Sequence, residues 1–464
     1  MDLEENRGPK LFQDSVHGTM RFPWLVVKFI DTKEFQRLRN IKQLSTTYLV
    51  YPAAAHNRFE HCLGVCWLAG LMFDALKTNS PDEWKEIFKN NDESKKTKLA
   101  IQIAALLHDV GHGPFSHTWE NFVRARGQKW DHETTSCDLI ENMIYKSENE
   151  LTELGKKFQE VFPDVRKNLN FIKAVIIGGH KKIGSDPPGE KAFLYQIVAN
   201  KSNDIDVDKF DYFLRDAQHL NIGVPFDYKR LMSLCKVHLL DGVSKIAFRD
   251  VEKYSLQGMF RVRADLHIRA YQHGVAKCLE AMLIDALVEA DKGGWKVGDL
   301  PLSGVHHDPK QFLKISDSIQ ELIQNSDEES FSKARAILRR MLERDLYKTV
   351  YERVLSVVQT PQQQEKNDPP SELTQEQLHE LENALGENYR VSQVKVNQGK
   401  FNDPMKNVTF YPKEGGRSPK VAAPSLQMDL PFYKIYVFKR EEDTCDTDSV
   451  HKIIEDFLRK EKVL

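Results

Sequence analysis

The chain has little cysteine and no cysteine pattern. Cys62, Cys66, Cys137, Cys235, Cys278 and Cys445 make no C-x-x-C pair and no regular framework, so they are expected to be reduced thiols in an intracellular protein. Charge of one sign is lacking as well. The 66 Lys and Arg against 68 Asp and Glu leave a net charge of −2, so no global field favours nucleic acid or a membrane, and any basic surface has to be local. No apolar run approaches the roughly 18 residues that a membrane span needs. The start, Met1-Asp2-Leu3-Glu4-Glu5-Asn6, is acidic and polar, unlike a secretory signal. No segment repeats. These absences predict a soluble globular protein of the nucleus or cytoplasm. Lys95-Lys96 and Lys181-Lys182 are too short to be an import signal that would choose between them.

A length of 464 residues allows one large or two to three ordinary domains. Apolar residues recur at helical spacing through Phe59, Leu63, Cys66, Gly70, Phe73 and Leu76, and again through Leu99, Ile103, Leu106 and Val110. Further helices are expected at 133–146, 190–201, 205–218, 226–236 and 253–291, the last long and rich in Met, Leu and Ala. Strand-like runs are few before residue 370. One short hairpin is expected from Val237–Leu239 and Lys245–Phe248, turned by Asp241-Gly242. Gly178 to Glu190 is rich in Gly, Pro and Lys and reads as an exposed loop. Gln359 to Gln377, polar with three prolines, reads as a linker-like excursion. Beyond it, strands are expected at Tyr389–Val396, Val408–Tyr411 and Phe432–Phe438, and a helix at Val450–Leu458. The expected fold is mainly α, with a large helical lobe over 1–358, the linker over 359–377 and a smaller C-terminal α+β lobe over 378–464.

The most informative string is LLHDVGHGPFSH, residues 106–117. Adjacent His108 and Asp109, at the end of an apolar helical stretch, put a neutral nitrogen and an anionic oxygen at nearly one point, which is half of a metal site. A lone His-Asp pair is usually a helix cap or an exposed pair. This one follows an apolar run and precedes His112 and His117, with Gly111 and Gly113 suited to close backbone approach or a sharp turn. Imidazoles and carboxylates together suit a borderline divalent ion such as Zn, Fe or Mn. Further along, Asp208, Asp211 (or Tyr212) and Arg215 share one helical face, so a carboxylate ligand and a phosphate-binding cation could line one cleft.

HNRFEHCLGV (56–65), LLHDVGHGPFSH (106–117), IDVDKFDYFLRD (205–216), FDYKR (226–230) and HIRAYQH (267–273) occur in this order. With them the chain resembles the HD-domain deoxynucleoside triphosphate triphosphohydrolases over roughly residues 10–460, and most of all the animal members that join a sterile alpha motif to the HD domain. The match begins near Lys10, so that motif is not expected here. The resemblance implies an HD-domain helical lobe and hydrolysis of a dNTP to a deoxynucleoside and inorganic triphosphate, with attack at the α-phosphorus. It implies metal ligation by His61, His108, Asp109 and Asp208, with Mg²⁺ on the triphosphate. By the same resemblance His117 protonates the leaving 5′ oxygen, and His112 and His132 are further acid–base or orienting groups. Imidazole suits this work because its ordinary pKa lies near operating pH. Arg58, Lys209 and Arg263 match triphosphate-binding cations. Tyr212, Asp216, His267, Tyr271 and Gln272 match the nucleoside pocket, with Gln43 and Leu44 on the sugar side. Tyr271 against the sugar C2′ would exclude a 2′-hydroxyl.

The animal relatives are nucleotide-activated tetramers, so the resemblance implies a homo-oligomer, dimer to tetramer, and a GTP or dGTP activator held by Lys10, Asp31, Gln36 and Arg39. A second, dNTP-binding activator site is matched by Arg230, Arg249, Arg344 and Lys348. Val251 and Gly274 stand where that site has lysines, and Ser255 where it has Asn. Ile268 replaces a usual Arg, and Ser45-Thr46-Thr47 a glycine run. Each lost charge-assisted contact is worth on the order of 1.5–3 kcal/mol, so activation or assembly is expected to differ here. Two other readings share the metal motif: an HD phosphohydrolase acting on other nucleotides or phosphodiesters, and a nucleotide-sensing or single-stranded nucleic-acid-binding protein with vestigial chemistry. The retained ligands weigh against the last, and the neutral net charge weakens a nucleic-acid role.

Overall fold

Two five-residue strands open the fold, in a region where no strand was expected. Lys10–Asp14 (β1) pairs antiparallel with Gly18–Phe22 (β2). The Asp14 carboxylate closes the turn by accepting from the backbone of Val16 and His17 at 2.9 and 2.8 Å, and Gly18 takes φ of +72°. Strands this short carry too few alternations for a period-two pattern to stand out. The computed structural model describes residues 8–179, 189–224, 226–240, 242–355, 373–396, 404–413, 432–441 and 447–461. Most of the expected loop at 178–190, Asp241 of the expected turn, residues 359–372 of the expected linker and Cys445 lie outside the described residues.

After the short helix Trp24–Ile30 (α1), the central helix Arg58–Asn79 (α2) follows the apolar spacing seen in the sequence. By length and a mean hydropathy of 1.3 it could cross a membrane, contrary to the expectation that no such run exists; yet 72% of that stretch is buried inside the protein, so its apolar surface is already covered. It packs against Asn91–Leu107 (α3), which is N-capped by the Asn90 side chain. His117–Ala125 (α4) and His132–Ile144 (α5) follow. The helix expected at 190–201 is instead a 3₁₀ stretch over Gly189–Gln196. There the Phe193 amide donates to Ser244 Oγ and Gln196 Oε1 accepts from Ile246, so the segment bonds sideways to a strand. Val207–Leu220 (α6), capped by Asp206, returns to α2.

Cys235–Leu240 (β3) and Val243–Arg249 (β4) form the expected hairpin, which cuts the helix expected at 226–236 down to Tyr228–Ser233. The long helix expected at 253–291 is two: Lys253–Leu266 (α7) and Gly274–Lys292 (α8), separated by a π-helical turn over His267–Tyr271. Gln272 N bonds His267 O at 2.8 Å across that wider turn. Such turns aim side chains off the helical register and recur at functional sites.

The three strands and the helix expected after residue 388 all form, within a mainly helical fold, while Lys348–Leu355 and Gln375–Leu385 were not expected. Lys348–Leu355 (β5), Gln375–Leu385 (α9), Tyr389–Val396 (β6), Thr409–Tyr411 (β7), Phe432–Lys439 (β8) and Thr447–Lys460 (α10) follow in order. The sheet order is β6-β8-β5, all antiparallel, and α9 and α10 share its small core. Two strands cross the boundary drawn from composition. β5, from the helical segment, joins the C-terminal sheet, and β7 pairs parallel with β4, Thr409 opposite Ala247. Helix α9 also begins inside the segment read as linker, capped by Thr374.

The turn between α3 and α4 is pinned from two sides. Ser136 Oγ on α5 donates to His108 O at 2.8 Å and accepts from Gly111 N at 2.9 Å. A Cβ on Gly111 would stand 2.3 Å from Ser136 N and 2.4 Å from His132 O, so only glycine permits this approach. On the other side Asp317 accepts from Phe115 N at 2.6 Å and Lys42 N at 2.8 Å. Phe115 and Ser116 both take φ of +57°, a left-handed conformation that these contacts hold in place. Gly111→Ala is therefore expected to cost about 1–3 kcal/mol of stability by overpacking, read by urea unfolding; an unchanged midpoint would contradict the close approach. Burial lifts the Asp317 carboxyl from 3.8 to about 6, against the pull of its two amide bonds, Lys42 and Arg37. Between those values the folded chain keeps a proton that the unfolded chain has released. The group's contribution is thus complete below about pH 4 and is lost as pH rises through 6, each tenfold gain in proton affinity being worth about 1.4 kcal/mol. The stability of the natural chain relative to Asp317→Asn is expected to fall by about 3 kcal/mol from pH 4 to pH 7, and a difference independent of pH would refute it.

Candidate metal centre and nucleotide pocket

Four donors from three segments converge beside α2. His61 lies in the first turn of α2, His108 ends α3, Asp109 follows in the turn, and Asp208 is in the first turn of α6. His61 Nε2 is 3.2 Å from Asp208 Oδ1 and 3.6 Å from Asp109 Oδ2. His108 Nε2 is 3.4 Å from Asp208 Oδ1 and 3.5 Å from Asp109 Oδ1. Both rings are held from behind: His61 Nδ1 donates to Asp211 Oδ2 and His108 Nδ1 to Ala105 O, each at 2.8 Å. This fixes the tautomers so that the Nε2 lone pairs face the carboxylates. The buried Nε2 of His108 has no hydrogen-bond partner among the described residues. Two nitrogen lone pairs and two carboxylates in this arrangement repel unless a cation lies between them, and the donor set suits a divalent metal. The same demand for positive charge shows in His61. Burial opposes its charging, but Asp208 and Asp211 lift it to about 10. Asp109 is also gripped by Arg58 Nη1 and lies 3.4 Å from His112 Nε2.

The three expected acid–base histidines form the adjoining wall. The His112 and His132 rings stack at 3.8 Å, with the His117 ring 5.1 and 5.6 Å from them. Burial, Arg58 and the neighbouring His132 hold His112 neutral. Glu120, not anticipated from the sequence, accepts from His132 Nδ1 at 2.6 Å and lies 3.5 Å from His117 Nδ1. Burial works against its charge, yet the two histidines hold its carboxyl far below the ordinary range. Its place three residues after His117 was the available signal, since i and i+3 share a helical face. His117 is the exposed member at the mouth, its side chain 67% accessible.

A cavity of about 690 Å³ opens from these groups. Its wall includes all ten residues expected to bind substrate: Gln43, Leu44, Arg58, Lys209, Tyr212, Asp216, Arg263, His267, Tyr271 and Gln272. His61, Asp109 and Asp208 line it too, as do His112, His117 and His132. Lys209 is anchored by Asp206 at 3.0 Å, and Arg263 Nη1 lies 3.6 Å from Asp204. At the far end Asp216 accepts from Tyr271 Oη and from His56 Nε2, the latter at 2.6 Å; the His56 ring stacks on His219. Burial first, then Arg263 and Lys277, depress His267 to about 3, so it is a neutral ring. Gln43 Oε1, Arg263 Nε, His267 Nδ1 and Gln272 Oε1 are buried without a hydrogen-bond partner among the described residues. Buried polar atoms are rarely left so, and these four are gathered on residues that line the one cavity.

One expected role is overturned. Arg215 does not reach the cleft as a phosphate-binding cation; it is buried behind α2, bonding Asp211 twice at 2.9 Å and Asp14 at 2.9 and 3.3 Å. Helical period gives a face but not a depth. Asp14, His17 and His56 were also passed over, because their partners lie far along the chain.

The residues expected at the activator sites are at the surface. Gln36 Nε2 donates to Ile30 O beside exposed Asp31, and Arg39 donates to Gln36 Oε1 at 2.8 Å while covering the Phe59 ring. Lys10 is exposed on β1. For the second site, Arg230 pairs with buried Glu252 at 2.7 Å and Arg344 donates to Leu49 O, while Arg249 is half-buried and Lys348 exposed.

The HD domain family model matches residues 58–185, which include three of the four converging donors. Three relatives, each named deoxynucleoside triphosphate triphosphohydrolase SAMHD1 or its homolog, align over most of the chain. The Danio rerio protein is 38% identical, over 87% of this chain and 66% of its own length. The Gallus gallus protein is 36% identical, over 91% and 70%. The Dictyostelium discoideum homolog is 35% identical, over 88% and 72%. The chain thus spans about two thirds to three quarters of these relatives. Their extent, with a pocket whose donors and cations come from the matching segments, shows that the chain belongs to the SAMHD1 family of HD-domain deoxynucleoside triphosphate triphosphohydrolases.

Proposed function

We propose that the chain hydrolyses dNTPs to deoxynucleoside and inorganic triphosphate. The observation that carries this reading is one cavity in which converging metal donors, three histidines and unsatisfied pocket atoms meet. His61, His108, Asp109 and Asp208 would hold the ion, for which zinc, iron and manganese are all suitable, while Mg²⁺ accompanies the triphosphate. A metal there supplies charge to offset the phosphoryl oxygens and acidity toward water. Arg58, Lys209 and Arg263 grip the triphosphate, Arg bidentately and Lys as a point charge. His117 delivers a proton to the leaving 5′ oxygen, held toward it by Glu120. His112, kept neutral, and His132 orient the wall behind it. Tyr271, tied to Asp216 and lining the cavity, would exclude a 2′-hydroxyl by packing on the sugar, and His267, Tyr212 and Gln272 would take the nucleoside.

Regulation belongs to the same proposal. Asp31, Gln36 and Arg39 lie together at the surface and Lys10 is exposed on β1; these four would hold a guanine-nucleotide activator, with assembly into a homo-oligomer following from the family resemblance. Arg230, Arg249, Arg344 and Lys348 remain of the second site, which Val251, Ser255 and Gly274 leave poorer in polar contacts.

Chromatography of dGTP incubated with the protein, Mg²⁺ and GTP is expected to yield deoxyguanosine and triphosphate. Appearance of dGMP and pyrophosphate would mean that a different bond is cut. His117→Ala is expected to lower kcat by about 10²–10⁴-fold with little change in KM, and an equal kcat would remove the proton-donor role. Replacing His108 and Asp109 together by Ala should abolish bound metal, measured by elemental analysis, while the far-ultraviolet circular dichroism stays helical.

A further inference from the structure

Behind the metal ligand His61 lies a buried group of charges that the reaction itself does not use. The Asp211 carboxylate accepts four hydrogen bonds: from His61 Nδ1 at 2.8 Å, from His17 Nε2 at 2.7 Å, and from Arg215 Nε and Nη2 at 2.9 Å each. All its lone-pair positions are thus engaged. Arg215 extends the group to Asp14, whose carboxylate also shapes the β1–β2 turn carrying His17. His17 Nδ1 faces Tyr228 Oη at 3.4 Å. Room for this arrangement is made by Gly64, one turn beyond His61: a Cβ there would lie 1.8 Å from Asp211 Oδ1 and 2.7 Å from Arg215 Nη2. The His17 and Asp211 side chains are both fully enclosed.

We propose that His17, on the turn of the N-terminal hairpin, is a positioning residue for metal binding: through Asp211 it fixes the tautomer and aim of His61. With His17 absent, one Asp211 oxygen loses its only bond from outside α6, and the carboxylate is free to turn toward Arg215 and away from His61. Partners of metal-ligating histidines set the affinity of the ion, typically by 10–100-fold. The proposal rests on the reading of His61 as a ligand.

The test uses Co²⁺ as the probe on the full chain, with affinity measured by chelator competition and the ligand field by visible absorption. His17→Ala is expected to weaken Co²⁺ by about 10–100-fold and to alter the absorption, and His17→Gln, whose amide can still donate to Asp211, to recover most of the affinity. A merely structural role would lower the melting temperature of the metal-free chain and leave the affinity unchanged; that result overturns the proposal. His61→Ala separates the two readings. If it too leaves Co²⁺ binding intact, the ligand assignment fails; if it abolishes binding while His17→Ala does not, only the positioning role fails. Should His17→Ala not fold, nitrogen-15 spectra of the natural chain loaded with Zn²⁺ decide: His17 protonated at Nε2 and His61 at Nδ1 are expected, and the opposite tautomer at either ring overturns the proposal.

Discussion

Two imidazole lone pairs and two carboxylates facing one another in a buried place are stable only around positive charge, and much of the structure exists to hold them there. Three of the four donors are visibly braced. His61 is backed by Asp211, His108 by the Ala105 carbonyl, and Asp109 by Arg58. The turn between α3 and α4 is pinned by Ser136 and Asp317 and passes so near α5 that position 111 must be glycine. A site aimed in this way loses little ordering entropy when it takes an ion, because the ordering is done by folding.

The same constraint explains how the neighbouring charges are arranged. A buried charge costs several kcal/mol unless it is paired and hydrogen-bonded. Arg215 answers two carboxylates, Asp211 and Asp14. Lys209 answers Asp206, and Asp216 is shared between His56 and Tyr271. Buried atoms without a hydrogen-bond partner among the described residues occur elsewhere too, on Trp119 and His306 for example, but Arg263 Nε, His267 Nδ1, Gln43 Oε1 and Gln272 Oε1 are grouped on residues that line one cavity. Asp211, Arg215 and Asp206 behind the donors are paired, whereas these four cavity-lining atoms are not.

That division also marks what the sequence could convey. His108-Asp109 and its glycines were legible because metal motif, turn and close approach are encoded within a dozen adjacent residues. The ten pocket residues were named from strings that resemble a family, not from periodicity, and the cavity gathers them. Arg215 was misplaced because a helical period reports which face a residue is on but not what covers that face. The His17–Asp211 bond joins residues 194 positions apart, and no local pattern signals such a pair. The helix expected over 253–291 was broken by a π turn, whose one extra backbone step leaves the apolar composition unchanged.

That π turn links the pocket to the second lobe. It presents His267 and Tyr271 to the cavity, and just beyond it Gln272 offers its carbonyl to Tyr436 Oη of β8 at 3.0 Å. Tyr436 is itself fully buried, and β5 and β7 have traded places between the lobes. The C-terminal sheet therefore braces the end of the cavity where Tyr271 and Asp216 meet, while the ligands and Arg58 belong to α2, α3 and α6. The two ends of the cavity nevertheless share a support, because Asp208, Lys209, Tyr212 and Asp216 all lie on α6. A change in the C-terminal lobe thus has a path to the cavity through Tyr436 and Gln272, and from Tyr271 through Asp216 onto the helix that carries Asp208.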